Sequence, residues 1–156
     1  MIKHVWRPCL LIGALVTLLA TACSADAACA LGGRGWCENG LAALALQTAI
    51  DSAPGAARPD EVIIVTEGFA VNPARYRVSN VRSLAANEVQ ATLAAGAADK
   101  TVAVISNIQV TSVPGPGNTA AQGAATVTIY RGGQPVHTQT VRGKLAGGTW
   151  VLDTGR

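Results

Sequence analysis

The sequence predicts an α+β protein: two helices packed on a mainly antiparallel sheet that ends in a C-terminal β-meander. Three observations carry that expectation. Apolar residues recur at helical spacing over 41–52 and again over 83–96. β-branched residues alternate with small or polar ones over 101–113 and 124–130. Two Gly-Gly pairs, Gly132-Gly133 and Gly147-Gly148, supply the positive φ angles that tight hairpins require.

Before any of these elements, residues 1–27 read as an export signal. Lys3, His4 and Arg7 make a basic start, Leu10 to Ala20 an apolar run, and small residues surround Cys23. The uninterrupted stretch from Cys9 to Ala22 is 14 residues. A membrane-spanning helix needs about 20, so cleavage is expected rather than a permanent span. Two cleavage sites compete. Ala25-Asp26-Ala27 places small residues before Ala28, as ordinary signal peptidase requires. Leu19-Ala20-Thr21-Ala22-Cys23 resembles the box of bacterial lipoproteins, in which the cysteine becomes the lipid-bearing N-terminus. It departs from that pattern at Ala20, where Leu is usual. The preferred expectation is lipidation at Cys23.

Cysteine usage agrees with that preference. Cys9 leaves with the signal, and acylation of Cys23 would leave Cys29 and Cys37 as a pair. They are separated by a stretch holding Gly32, Gly33 and Gly35. In an oxidising envelope a disulfide follows. The spacing is not that of a C-x-x-C redox centre, and no histidine stands nearby to complete a zinc site. The resulting organisation is a signal over 1–27 with cleavage before Cys23 or Ala28, a disulfide-closed tether over 28–37, and a single α+β domain over 38–156. About 130 residues remain after the signal, enough to bury roughly two-thirds of the unfolded surface in one core.

Within the domain, Leu41, Leu44, Ala45, Thr48 and Ala49 form the stripe of a first helix, with Asn39 as its expected N-cap and Pro54 beyond its end. The run Glu61-Val62-Ile63-Ile64-Val65-Thr66 holds an unbroken β-branched stretch from Val62 onward, a continuity that fits a strand covered on both faces. Asn72-Pro73 marks a turn, and Tyr76 and Val78, alternating with Arg75, Arg77 and Ser79, predict a half-exposed strand. A second helix follows, with Ser83 as N-cap, Ala86, Val89 and Leu93 as stripe, and Gly96 as left-handed C-cap. Val102, Val104, Ile108 and Val110 predict a long strand over 101–113 with one buried face. After the loop Pro114-Gly115-Pro116-Gly117-Asn118, three further strands complete the meander: one through Val127 and Ile129, one from Pro135 to about Leu145, and one over 149–153.

The segment Ala124 to Asp153, with its Val-rich strand, Gly-Gly hairpin, polar returning strand and closing Gly147-Gly148-Thr149-Trp150-Val151-Leu152-Asp153, resembles the last strands of NTF2-like or cystatin-like rolls of secreted bacterial lipoproteins. The likeness covers about 30 residues of meander and implies a fold, not an activity. It departs upstream, where a β-branched strand stands between two helices instead of a helical wall.

The chemistry-bearing residues form no recognisable constellation. His137 is the one histidine after the signal and reads as a surface residue. Asp51, Asp99 and Asp153 could orient it in a hydrolytic triad, but there is no G-x-S-x-G elbow. Gly115 to Ala120 formally matches a dinucleotide-binding pattern, but prolines interrupt it and no helix follows. Glu61 with Glu67, or Glu88 with Asp99, could pair as acids for glycoside cleavage only by converging in space. No catalytic residue, metal ligand or cofactor is assigned.

The chain holds 12 basic and 9 acidic residues. With Lys3 and Arg7 removed in the signal, the exported part is nearly neutral. Arg75, Arg77 and Arg82 are the one local basic group, too small for nucleic-acid binding and without aromatic platforms for bases; they read as a solvated sheet face, with a small anionic contact surface as the alternative. Two function classes follow. One is a non-catalytic envelope lipoprotein, held to the membrane at Cys23 on the periplasmic side, with a structural role or another envelope protein as partner. Ser24 after the lipid cysteine fits delivery to the outer membrane in a Gram-negative cell. The other is a secreted or periplasmic enzyme or ligand carrier with a pocket between helix and sheet near Trp150 and Tyr130.

Overall fold

The alternation over 101–113 becomes the spine of a six-stranded sheet. The computed structural model describes residues 29, 34–55, 58–66, 68–96, 99–113 and 120–155. The signal, Cys23, Glu67 and the loop Pro114 to Asn118 lie outside the described residues. The chain runs through helix α1 (Arg34–Ser52), strand β1 (Glu61–Val65), a 3₁₀ turn (Pro73–Arg75), β2 (Val81–Leu84), helix α2 (Ala86–Ala95), β3 (Thr101–Val113), β4 (Ala120–Arg131), β5 (Gln134–Ala146) and β6 (Thr149–Leu152). The strand order is β2-β1-β3-β4-β5-β6. β1 is parallel to both neighbours, with Val62 opposite Val81 and Glu61 opposite Val102, and the other pairs are antiparallel. The fold is α+β as expected, with two helices on a mostly antiparallel sheet among the described residues.

The two helices cover opposite faces. Cys37, Leu41, Ala42, Ala45, Leu46 and Ala49 put a buried stripe of α1 against Val62, Ile64, Ala103, Ile105, Val127, Val141, Leu145 and Trp150. Val89 and Leu93 of α2 pack on Ile63, Val102 and Val104 from the other side. β1 is therefore sandwiched, which is why Val62 to Val65 are apolar without a break. Ile63 and Ile64 point to opposite cores and both are fully buried, a side-chain burial worth about 1.5–3 kcal/mol each.

β3 corrects the expectation of one buried face. Val102 and Val104 belong to the α2 core, whereas Ile108 and Val110 pack on the α1 side. The β3–β4 register shifts between Ser106 and Gln109, and Asn107 adopts φ 51°. One inserted residue inverts the face of everything after it. Ala103 and Ile105 are buried as well, so the first half of β3 is covered on both sides.

The hairpins follow the glycines. Gly132 and Gly133 have φ 57° and 76°, and Gly147 and Gly148 have φ 56° and 78°. Two consecutive positive φ values are the requirement of a two-residue type I′ turn. On the face of β4 and β5 that α2 leaves open, threonines pair across the strands: Thr126 with Thr140 at 3.0 Å and Thr138 with Thr128 at 3.2 Å.

Other local expectations are revised. Residues 75–79 form no strand. Asn72 caps the 3₁₀ turn, its Oδ1 accepting the Ala74 N–H at 3.2 Å, and Arg77 then takes φ 53°, which a strand cannot hold. The edge strand lies later, at β2. Ser83 sits inside β2 because pairing with β1 extends to Leu84. Ala85 occupies the cap position of α2, and the Glu88 carboxylate accepts its N–H at 3.0 Å. Gly96 ends α2 in an extended conformation, φ −66° and ψ 144°, and is not left-handed. Asn39 is not an N-cap, because α1 begins at Arg34 and carries Asn39 buried in its interior.

Candidate functional site

Three features converge on the flank of α1: a buried asparagine, a tryptophan seated on glycines, and a groove edged by arginines. Asn39 satisfies all its polar capacity. Its Nδ2 donates to the carbonyl of Gly35 and to that of Ala70 at 2.9 Å, and its Oδ1 accepts from the Asn72 N–H and the Tyr76 hydroxyl, each at 2.8 Å. One side chain thus fastens the segment 70–76 along the helix. Burial pushes the Tyr76 phenol well above its usual value, opposed in part by the Arg75 charge, so the hydroxyl remains a neutral donor to Asn39.

Trp150 on β6 is held by missing side chains. A Cβ built on Gly40 would lie 2.7 Å from Trp150 Cδ1, one on Gly143 would lie 3.1 Å from Cε3, and one on Gly123 would lie 3.4 Å from Cη2. The indole fills the space where α1 crosses β4, β5 and β6. Its Nε1 is buried and has no hydrogen-bond partner among the described residues. A buried indole N–H ordinarily finds an acceptor, so this atom is an open donor beside Gly40.

Outside that seat, α1 and the 72–78 segment enclose a groove with two lobes. The larger, about 410 Å³, is lined by Trp36, Gly40, Leu44, Arg75, Arg77 and Trp150, among others. The smaller, about 290 Å³, shares Ala43, Arg75 and Arg77 and adds Arg58, Ile50 and Tyr76. The Arg75 guanidinium sits 5.2 Å from the centroid of the Trp36 ring, a cation–π contact. Neither lobe is lined by a carboxylate. The floor is apolar and the rim cationic, an arrangement suited to holding an anion.

The residues singled out from sequence are placed as follows. Cys29 and Cys37 pair as a disulfide with their Cα atoms 5.9 Å apart. Cys37 lies within α1, so the bridge ties the residues before the helix directly to its first turns. Arg82 stands apart from Arg75 and Arg77. It pairs with the buried Glu61 across β2 and β1, and the cationic group is completed by Arg58. Trp150 and Tyr130 line no common pocket, because Trp150 faces α1 and Tyr130 packs with the α2 core. A separate open cleft of about 780 Å³ lies beside Tyr130, Val104 and Phe69 on that second face.

His137 Nε2 is 3.2 Å from Ser52 Oγ, a neighbour that sequence separation conceals. The same hydroxyl is 2.6 Å from the Gln139 Oε1 it donates to and 2.9 Å from the Thr48 carbonyl. No carboxylate hydrogen-bonds the imidazole among the described residues. Asp51 instead accepts from Gln47 at 2.8 Å, and Asp153 accepts from the Gly155 N–H at 3.3 Å. Glu88 is engaged at the α2 cap and Glu61 with Arg82, and Glu67, the other member of the first acid pair, lies outside the described residues. Among the described residues no three of His, Cys, Asp and Glu converge.

Sequence reading does not show Asn39 as a core residue, and of the groove it points to Trp150, Arg75 and Arg77 but not to Trp36 or Arg58. Asn39 was detectable: it falls in helical step with Ala42, Leu46 and Ala49, a polar residue on an apolar stripe. Arg58 offers no such sign, since only the folded chain brings it beside Arg75 and Arg77. No family model, curated protein or solved structure matches the chain.

Proposed function

We propose that this chain is an exported cell-envelope lipoprotein, anchored through a lipid on Cys23, whose domain has a structural or protein-binding role without catalysis. The observation that carries the reading is the Cys29–Cys37 bridge. It uses two of the three cysteines that remain after cleavage before Cys23, suits an oxidising compartment, and leaves Cys23 as the thiol for acylation. The bridge also fastens the base of the tether to α1, so a lipid six residues before Cys29 would hold the domain close to the membrane surface. The likeness of the last strands to NTF2-like or cystatin-like rolls belongs to the same proposal.

The sheet ends at β6, where Val151 and Leu152 are exposed and the outer backbone edge has no strand beside it among the described residues. An envelope protein that adds a strand there would cover both side chains. Fatty-acid labelling tests the anchor. Label that disappears in Cys23→Ser supports it, and a soluble product beginning at Ala28 contradicts it. Crosslinking in intact envelopes from a photoreactive residue at position 151 tests the partner. A discrete heterologous adduct is expected, and its absence from position 151, with the protein present and anchored, would remove the protein-binding role at β6.

A further inference from the structure

We propose that the two-lobed groove along α1 is a binding site for a small amphipathic organic anion, a carboxylate or sulfonate joined to a flat apolar body. The inference is independent of the lipid anchor and holds equally for a soluble chain. Three separate observations carry it.

The first is charge. Arg58, Arg75 and Arg77 rim the groove, none of them in a salt bridge among the described residues, and no carboxylate lines either lobe. Unpaired guanidinium groups of this kind bind carboxylate and sulfonate oxygens by charge-assisted hydrogen bonds. The second is shape and surface. Trp36, Leu44 and Trp150 give the larger lobe an apolar wall, and its volume of about 410 Å³ falls within the range of small-molecule sites. The third is the backbone. Arg77 is held at φ 53°, a conformation uncommon for a non-glycine residue outside Asn and Asp. That conformation, following the 3₁₀ turn fixed by Asn39 and Asn72, brings Arg77 to the groove beside Arg75.

The acid group would lie between Arg75 and Arg77, the charged residues common to both lobes, and the apolar body against Trp36 in the larger one. Trp150 lies at the inner end. A divalent inorganic anion would use the charge and leave the aromatic wall unfilled, so the apolar body is part of the recognition.

The site reports on itself. Trp36 and Trp150 are the only tryptophans after the signal, since Trp6 lies within residues 1–27, and both line the larger lobe. Titration of the exported, oxidised protein with 8-anilino-1-naphthalenesulfonate should give saturable dye fluorescence and parallel quenching of tryptophan emission. The neutral analogue N-phenyl-1-naphthylamine should bind at least about tenfold more weakly, and about 0.5 M NaCl should weaken the sulfonate alone. Arg75→Glu with Arg77→Glu should weaken sulfonate binding at least about tenfold. Arg142→Glu, an exposed charge on β5 that lines neither lobe, should leave it unchanged. Circular dichroism melts identify any variant that merely loosens the fold, and Arg58→Glu then serves as an independent single test. The proposal is overturned if the sulfonate shows no saturable binding, if the neutral analogue binds equally well, or if charge reversal at Arg75 and Arg77 changes nothing. Binding of an acidic peptide without binding of the dye would likewise overturn it, in favour of a protein ligand.

Discussion

Replacing Asn39 with leucine tests the interaction that holds the 70–76 segment to α1. The side chain is of similar size, so the change removes hydrogen bonds with little loss of volume. It strands the Tyr76 hydroxyl, on a residue only 4% exposed, together with the Asn72 N–H and the Ala70 carbonyl. An orphaned buried group costs about 1–3 kcal/mol. The Tyr76 hydroxyl carries that in full, while Asn72 and Ala70 lie on exposed residues where water recovers part of the loss. The expected destabilisation is about 3 kcal/mol, a fall in Tm of roughly 10 °C for a domain of this size. Urea and thermal unfolding of the oxidised protein measure it. A double-mutant cycle sharpens the result. Tyr76→Phe alone should cost about 1–1.5 kcal/mol, but in the Asn39→Leu background it removes a stranded hydroxyl and should be neutral or stabilising. A change below about 0.5 kcal/mol in Asn39→Leu, or a Tyr76→Phe effect equal in both backgrounds, would refute the reasoning.

Further expectations concern packing, the bridge and pH. Gly123→Ala would place a Cβ 2.5 Å from the Gln109 carbonyl oxygen and 2.6 Å from Leu41 Cδ2; a backbone atom cannot yield, so unfolding measurements should show a loss at or above the upper end of about 1–3 kcal/mol. Cys29→Ser opens the bridge while leaving Cys37 buried, and chain-entropy arithmetic for a separation of eight residues predicts a loss of about 2.5 kcal/mol, matched in the wild type by added reductant. Because burial raises the Tyr76 phenol in the folded state, the unfolded chain gives up that proton first. The Tyr76 contribution to stability should be complete below about pH 10 and fall by about 1.4 kcal/mol per unit above it. Alkaline urea titrations should lose that component in Tyr76→Phe; an unchanged slope would show that the phenol is not buried as described.

Features written into neighbouring residues were legible in the sequence. The bounds of β3, the continuous burial of β1 and both Gly-Gly hairpins follow from local alternation, β-branching and positive φ, and each appears in the fold. Features that depend on residues far apart were not. Nothing around Asn107 announces the bulge that turns Ile108 and Val110 to the other face. The alternation of Tyr76 and Val78 imitates a strand, although Asn72 and Pro73 begin a 3₁₀ turn and Tyr76 is fixed by a helix more than 30 residues earlier. The early start of α1 was hidden because Asn39 looks like a cap until its partners at 70–76 are known. The groove was legible only in Trp150, Arg75 and Arg77, since Arg58 and Trp36 come from separate segments that meet only in the folded chain.

Intact-mass analysis of the protein recovered from its own cells tests the central claim, that the chain is exported, bridged and anchored. The account predicts a product beginning at Cys23, heavier than its sequence by the lipid, with two hydrogens missing because Cys29 and Cys37 are joined. A full-length chain that still carries Met1 and has every thiol reduced would contradict it.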